Sequence, residues 1–190
     1  ETTGDPHVRG PFNRHIDIGN RDGQILTLIS ASNVVVNMQL MTPEKDESKQ
    51  LFIGKLAFIL SNGATVIITP GETFDQPMSD FVRITGVAPV LVKKNTMSIG
   101  AGATITSRFD GKSLHIDVCG FRFHVSRKLA FPSHLDVSTL APASQWNKMH
   151  GVLGQMYFRQ SENVELVADE SVFEVDSLES YEGFRFNKFA

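Results

Sequence analysis

The sequence predicts an all-β domain, an antiparallel β-sandwich of many short strands with at most one or two short helices, and three observations predict it. Apolar and polar residues alternate over short runs instead of recurring at helical spacing. Turn pairs such as Asp22-Gly23, Asn62-Gly63 and Asp110-Gly111 punctuate a chain whose turn residues recur about every 8 to 12 positions. The chain has 190 residues, 41% of them hydrophobic, which suffices for one well-buried core and falls short of two ordinary domains. Residues 1–190 are therefore read as one domain.

The elements follow in order. "RHIDI" and "QILTLIS" are the first strands, and Asp22-Gly23 between them signals a hairpin because both residue types tolerate positive φ. "NVVVNMQL" is the next strand. "TPEKDESKQ" carries several charges and no apolar periodicity, so it reads as a solvated loop. "LFIGKLAFIL" and "ATVIITP" flank Asn62-Gly63, the strongest hairpin signal of the first half. "FVRITG", "PVLVKKN", "TMSIG" and "ATITSRF" continue the series, and Asp110-Gly111 turns the chain into "KSLHIDV". In the last third "PASQWNKM" suits about two helical turns, whereas "VELVA", "SVFEVDSL" and "GFRFNKF" return to alternation.

The stretch "SLHIDVCGFRFHVS" yields a register. With Cys119-Gly120 as a two-residue loop, Val118 faces Phe121, Ile116 faces Phe123 and Leu114 faces Val125, which makes one face wholly apolar. The other face pairs Asp117 with Arg122 and His115 with His124. Two facing imidazoles are half of a metal site, which needs one or two further ligands from elsewhere. The plain reading is a partly exposed sheet face.

Charge and composition exclude several classes. A formal net charge of −3 leaves no sequence-wide basic field for nucleic acid or an acidic membrane surface. No apolar run approaches the roughly 20 residues of a spanning helix. The expected partners therefore include neither nucleic acid nor a membrane interior. The opening Glu1-Thr2-Thr3-Gly4 has no signal-peptide pattern and reads as an excision point from a longer precursor. A lone cysteine, Cys119, forms no internal disulfide and says nothing of redox compartment. No G-x-S-x-G elbow, paired-histidine zinc motif, phosphate-cradling glycine loop or Cys-x-x-Cys pair is present, which argues against an ordinary enzyme and for no cofactor. "NRDGQ", Asn20 to Gln24, spaces side-chain oxygens like the start of a calcium loop but lacks the rest of that motif.

Gly4-Asp5-Pro6-His7 carries local chemistry. The nitrogen of Pro6 is a tertiary amide, more basic than usual and a better leaving group once protonated. The Asp5 carboxylate can close a five-membered ring onto its own carbonyl carbon, giving a cyclic anhydride at Asp5 and a free Pro6 amine. Intramolecular geometry supplies the effective concentration for this step. His7, with an unperturbed pKa near 6.5, can act as general acid toward the leaving nitrogen, and Gly4 relaxes the backbone before it. The alternative is an extended entry to the first strand, with Pro6 preventing edge pairing.

"GDPH" at 4–7, "LFIGKLAF" at 51–58 and "MHGVLGQMY" at 149–157 stand in the order seen in the C-terminal region of inter-alpha-trypsin inhibitor heavy chains. That region resembles the von Willebrand factor type D domain, which also opens on Gly-Asp-Pro-His. "RHIDIGNRDGQILTLI" and "NVVVNMQL" extend the similarity, while "FEVDSLESYEGFRF" is closer to plant root-cap proteins. The resemblance implies an all-β module of secreted or surface-exposed multidomain proteins of matrix, mucin-like or protease-inhibitor precursor type. Its implied partners are other extracellular proteins, glycosaminoglycan and neighbouring domains of the same precursor. It marks Gly4, Asp5, Pro6 and His7 as a processing site, where water would give cleavage and a sugar hydroxyl an ester. It marks His150, Gly151, Gly154 and Gln155 as the family motif, in which the glycines permit a tight turn and Val152 and Leu153 are buried. Type D domains are rich in disulfides and carry a Cys-x-x-Cys near this motif; here His150 and Gly154 stand there, so disulfide-driven assembly is not implied. "FRQSENVE" offers only Glu162 and Asn163 where type D domains hold calcium, which leaves calcium open.

Overall fold

The computed structural model describes residues 7–9, 15–17, 21–42, 51–71, 75–128, 133–155 and 173–180. The first two strands, β1 (His7–Arg9) and β2 (His15–Asp17), pair with each other as a separate antiparallel ribbon. The remaining strands belong to one eleven-stranded antiparallel sheet that folds over on itself. They are β3 (Ile25–Ala31), β4 (Val34–Met41), β5 (Phe52–Leu60), β6 (Thr65–Ile68), β7 (Val82–Thr85), β8 (Val90–Lys93), β9 (Thr96–Ser98), β10 (Thr104–Ser107), β11 (Ser113–Val118), β12 (Phe121–Lys128) and β13 (His134–Leu140). This is the all-β sandwich the alternation predicts.

The fold-over happens at β5. One of its edges pairs with β4 along its length. The other edge is divided: Leu56–Ile59 pair with β6, and Ile53 pairs with Leu135 of β13. The first branch runs on through β7 and the second through β12, β11, β10 and β9 to β8. The two branches become the two layers of the sandwich. Leu28, Val36, Met38, Phe58 and Val66 from one layer and Ile105, Ile116, Phe121, Phe123 and Val125 from the other join a single buried cluster. Phe58 and Phe123 meet edge to face at 5.0 Å, an arrangement the ring quadrupoles favour.

The first layer is buried on both faces. On its outer side Asn37, Ala57 and Ile67 stand in one cross-strand row ending at Arg83, and the first three are buried. Residues 173–180 cross that row. The Asn37 amide nitrogen donates to the carbonyls of Leu178 and Ser180, at 3.1 and 2.9 Å, and the end is held by an Arg83–Glu179 ion pair. A fully buried amide requires such partners.

One local expectation changes. Asp22-Gly23 forms a turn with Gly23 at φ +76°, yet it does not join β2 to β3 as a hairpin. Gly23 N–H donates to Leu40 O and Thr42 N–H to the Asp22 carboxylate, so the turn closes against the far end of β4, the real partner of β3. "PASQWNKM" forms the expected two helical turns as a 3-10 helix, Ala143–Lys148. "TPEKDESKQ" after Thr42, "VELVA" and "GFRFNKF" lie outside the described residues.

Candidate functional site

Of the expected processing site, Gly4, Asp5 and Pro6 lie outside the described residues. His7 is the first residue of β1, and the register sets its Cα opposite that of Asp17 in β2.

The 150–155 motif is placed against the backbone of β3. Ser30 and His150 exchange both backbone hydrogen bonds at 2.8 and 2.9 Å, and Val152 and Leu153 N–H donate to the carbonyls of Thr27 and Leu28. Val152, Leu153 and Gln155 are buried. Gly151 is at φ +92°, where side chains are disfavoured, and a Cβ would stand 2.8 Å from two carbonyl oxygens of β3. Glu174 bridges to Leu26 farther along the same edge. The motif thus seals an edge strand, which explains its glycine by packing.

His115 and His124 pair as the register predicts, with ring centroids 5.1 Å apart. Burial first, then the charges of His124, Arg108 and Arg122, hold the His115 imidazole below its usual pKa, against an opposing pull from Asp117. Asp117 binds Arg122 at 2.7 Å. Among the described residues no three His, Cys, Asp or Glu side chains come together, so the further ligands of a metal site are not found there.

The opposite end of the sheet holds a feature that the motifs do not mark. β8 pairs with β9 alone, and β7 with β6 alone, so the two layers end side by side in strands without a second neighbour among the described residues. Between them opens a groove of about 490 Å³. Its lining combines apolar Val82, Leu91, Met97, Ile105 and Leu114 with the cations Lys94 and Arg108. Val90, Leu91 and Val92 are 62%, 68% and 57% exposed, and Phe109, also lining the groove, is 99% exposed.

Local structure builds this site. Pro77 precedes a 3-10 turn, Met78–Phe81, and Met78 N–H donates to Gly111 O at 2.7 Å, fixing one wall to the β10–β11 turn. Asp110 caps that turn through Lys112 N–H at 3.0 Å, which with Arg108 and Ser113 holds its carboxyl below the usual range against a small burial effect. Capping of this kind places Phe109 outward. "VLVKK" was the signal for it: three successive apolar residues in a short strand leave no polar face and no single buried one. No protein-family model matches the chain, and no curated protein matches it.

Proposed function

We propose that the chain is a non-enzymatic binding module, of the kind that serves in secreted or surface-exposed multidomain proteins, and that it binds through the groove beside β8. One observation carries this reading: an apolar cleft opens next to a strand that has a neighbour on one side only among the described residues and whose first three side chains are more than half exposed. Monomers seldom expose contiguous apolar surface without a use for it, and an open edge strand is a hazard that folds usually cover. Another outer strand, β3, is covered in that way by residues 150–153 and 174. The contrast supports function at β8, with other extracellular proteins or a neighbouring domain as the class of partner.

The test is titration with an anionic apolar dye, anilinonaphthalene sulfonate, under native conditions. A single saturable site is expected, lost in Met97→Arg and kept in the distant Arg21→Ala. Absence of saturable binding, or binding unchanged in Met97→Arg, overturns the reading, provided circular dichroism shows the variant folded.

A second reading, self-processing at Asp5-Pro6, rests on the local chemistry of Gly4-Asp5-Pro6-His7, whose histidine opens β1. Protein carrying an N-terminal tag is expected to lose it in mildly acidic solution, between about pH 5 and 7, and Asp5→Ala to keep it. Intact mass that never changes over this range contradicts this second reading.

A further inference from the structure

We infer that the groove takes an extended polypeptide segment in which apolar residues alternate with acidic ones, and that the segment adds as a new strand on the free edge of β8. The inference deepens the binding-module reading and rests on it.

The backbone of Val90–Lys93 offers donors and acceptors on the side away from β9, and no strand of the described residues takes them. An extended peptide satisfies such an edge with its own main chain, as in other cases of strand addition. A four-residue strand rises about 13 Å, which suits an added strand of similar length. Alternate side chains of that strand would lie over the groove against Leu91, Met97 and Phe109, which explains why these apolar surfaces are left to solvent in the free protein. The remaining side chains meet charge. Lys93 ends the strand and Lys94 follows it, and Lys94 and Arg108 both line the groove. None of the three enters a salt bridge among the described residues, whereas Arg21, Arg83, Arg122 and Lys128 do. The nearby Asp110 is committed to its own turn. In a chain of net charge −3, Lys93 and Lys94 give this edge a positive charge that no salt bridge among the described residues neutralises, so acidic residues complement it.

The probe is a fluorescein-labelled peptide, Glu-Val-Glu-Val-Glu-Ile-Glu, followed by anisotropy, with its Lys-for-Glu counterpart as comparison. The acidic peptide is expected to bind with roughly tenfold higher affinity than the lysine one, and to weaken roughly tenfold in the Lys93→Glu, Lys94→Glu double variant. Binding should also slow amide exchange across Val90–Lys93. Equal or tighter binding of the lysine peptide overturns the inference, as does acidic-peptide binding that leaves the β8 amides unprotected. Displacement of the peptide by heparin on β8 amides that stay exposed would assign the site to a sulfated glycan instead, and a β8-dependent dimer in sedimentation would assign it to a second copy; either overturns the inference. If dye binds the groove and no peptide does, the inference falls and the binding-module reading stands. If neither binds, both fall.

Discussion

Gly151 and Gly23 both hold positive φ, but only Gly151 is pressed against carbonyl oxygens, at 2.8 Å, while nothing lies within 4 Å of a Cβ on Gly23. Gly151→Ala is therefore expected to cost about 2–4 kcal/mol and Gly23→Ala about 1 kcal/mol, read from denaturant midpoints at constant slope. A second turn predicts the opposite sign. Cys119 and Gly120 occupy the loop between β11 and β12 at φ 49° and 86°, a conformation that Asn-Gly suits best, so Cys119→Asn should stabilise the protein by about 0.5 kcal/mol. The histidines add a pH dependence. His115 and His150 are both held below their usual pKa, in each case chiefly by burial. The unfolded chain then binds more protons than the folded one as pH falls below about 6.5, so the stability present above that pH is lost on acidification. The thermal midpoint should fall from about pH 7 to about pH 5, and fall less in the His115→Gln, His150→Gln double variant. At this scale much was legible: a two-residue loop at Cys119-Gly120 sets the whole register of its hairpin, down to the Asp117–Arg122 and His115–His124 pairs. The closeness of Gly151 to β3 was not, because it depends on a segment more than a hundred residues away in sequence.

Among the elements, β12 shows where alternation stops being informative. Phe121, Phe123 and Val125 point into the core, and the same alternation sends Arg127 inward, where it is 5% exposed. Its guanidinium donates to Pro70 O at 3.1 Å and Gln76 O at 2.9 Å and sits 5.7 Å from the Phe81 ring centre. A buried cation held by carbonyls ties the wall of the groove to the second layer. Arg127→Ala should cost about 2–4 kcal/mol and increase proteolysis between residues 70 and 81, while Arg127→Lys, without the planar fork, should recover only part. Alternation alone puts Arg127 on the apolar side; its partners are 51 and 57 residues away and leave no local pattern. The strand pairing at the N-terminus was misread for a related reason. Asp22-Gly23 is a sound turn signal, yet the contacts that close it come from Leu40 and Thr42 at the end of β4, so the turn precedes β3 without pairing it to β2.

For the molecule as a whole, short alternating strands and spaced turns were enough to give the sandwich. They did not give the divided edge of β5, which needs two different strands, β6 and β13, to meet one strand at different points along it. Nor did they give the covering of the first layer by residues 173–180 through Asn37. The consequence of that architecture is an asymmetry of edges. Of the outer strands, β3 is sealed by the 150–155 motif, whereas β8 has no second neighbour among the described residues and stands beside an apolar groove with Lys94 and Arg108 in its lining. The function proposed depends on β8 being open in the free protein. Hydrogen exchange of the unliganded full chain measures this directly. The account predicts that amides of Val90–Lys93 exchange far faster than those of β4, β5 and β12, by a factor of at least about a hundred. Protection of β8 equal to that of those central strands would mean that its edge is already taken, and would contradict the account.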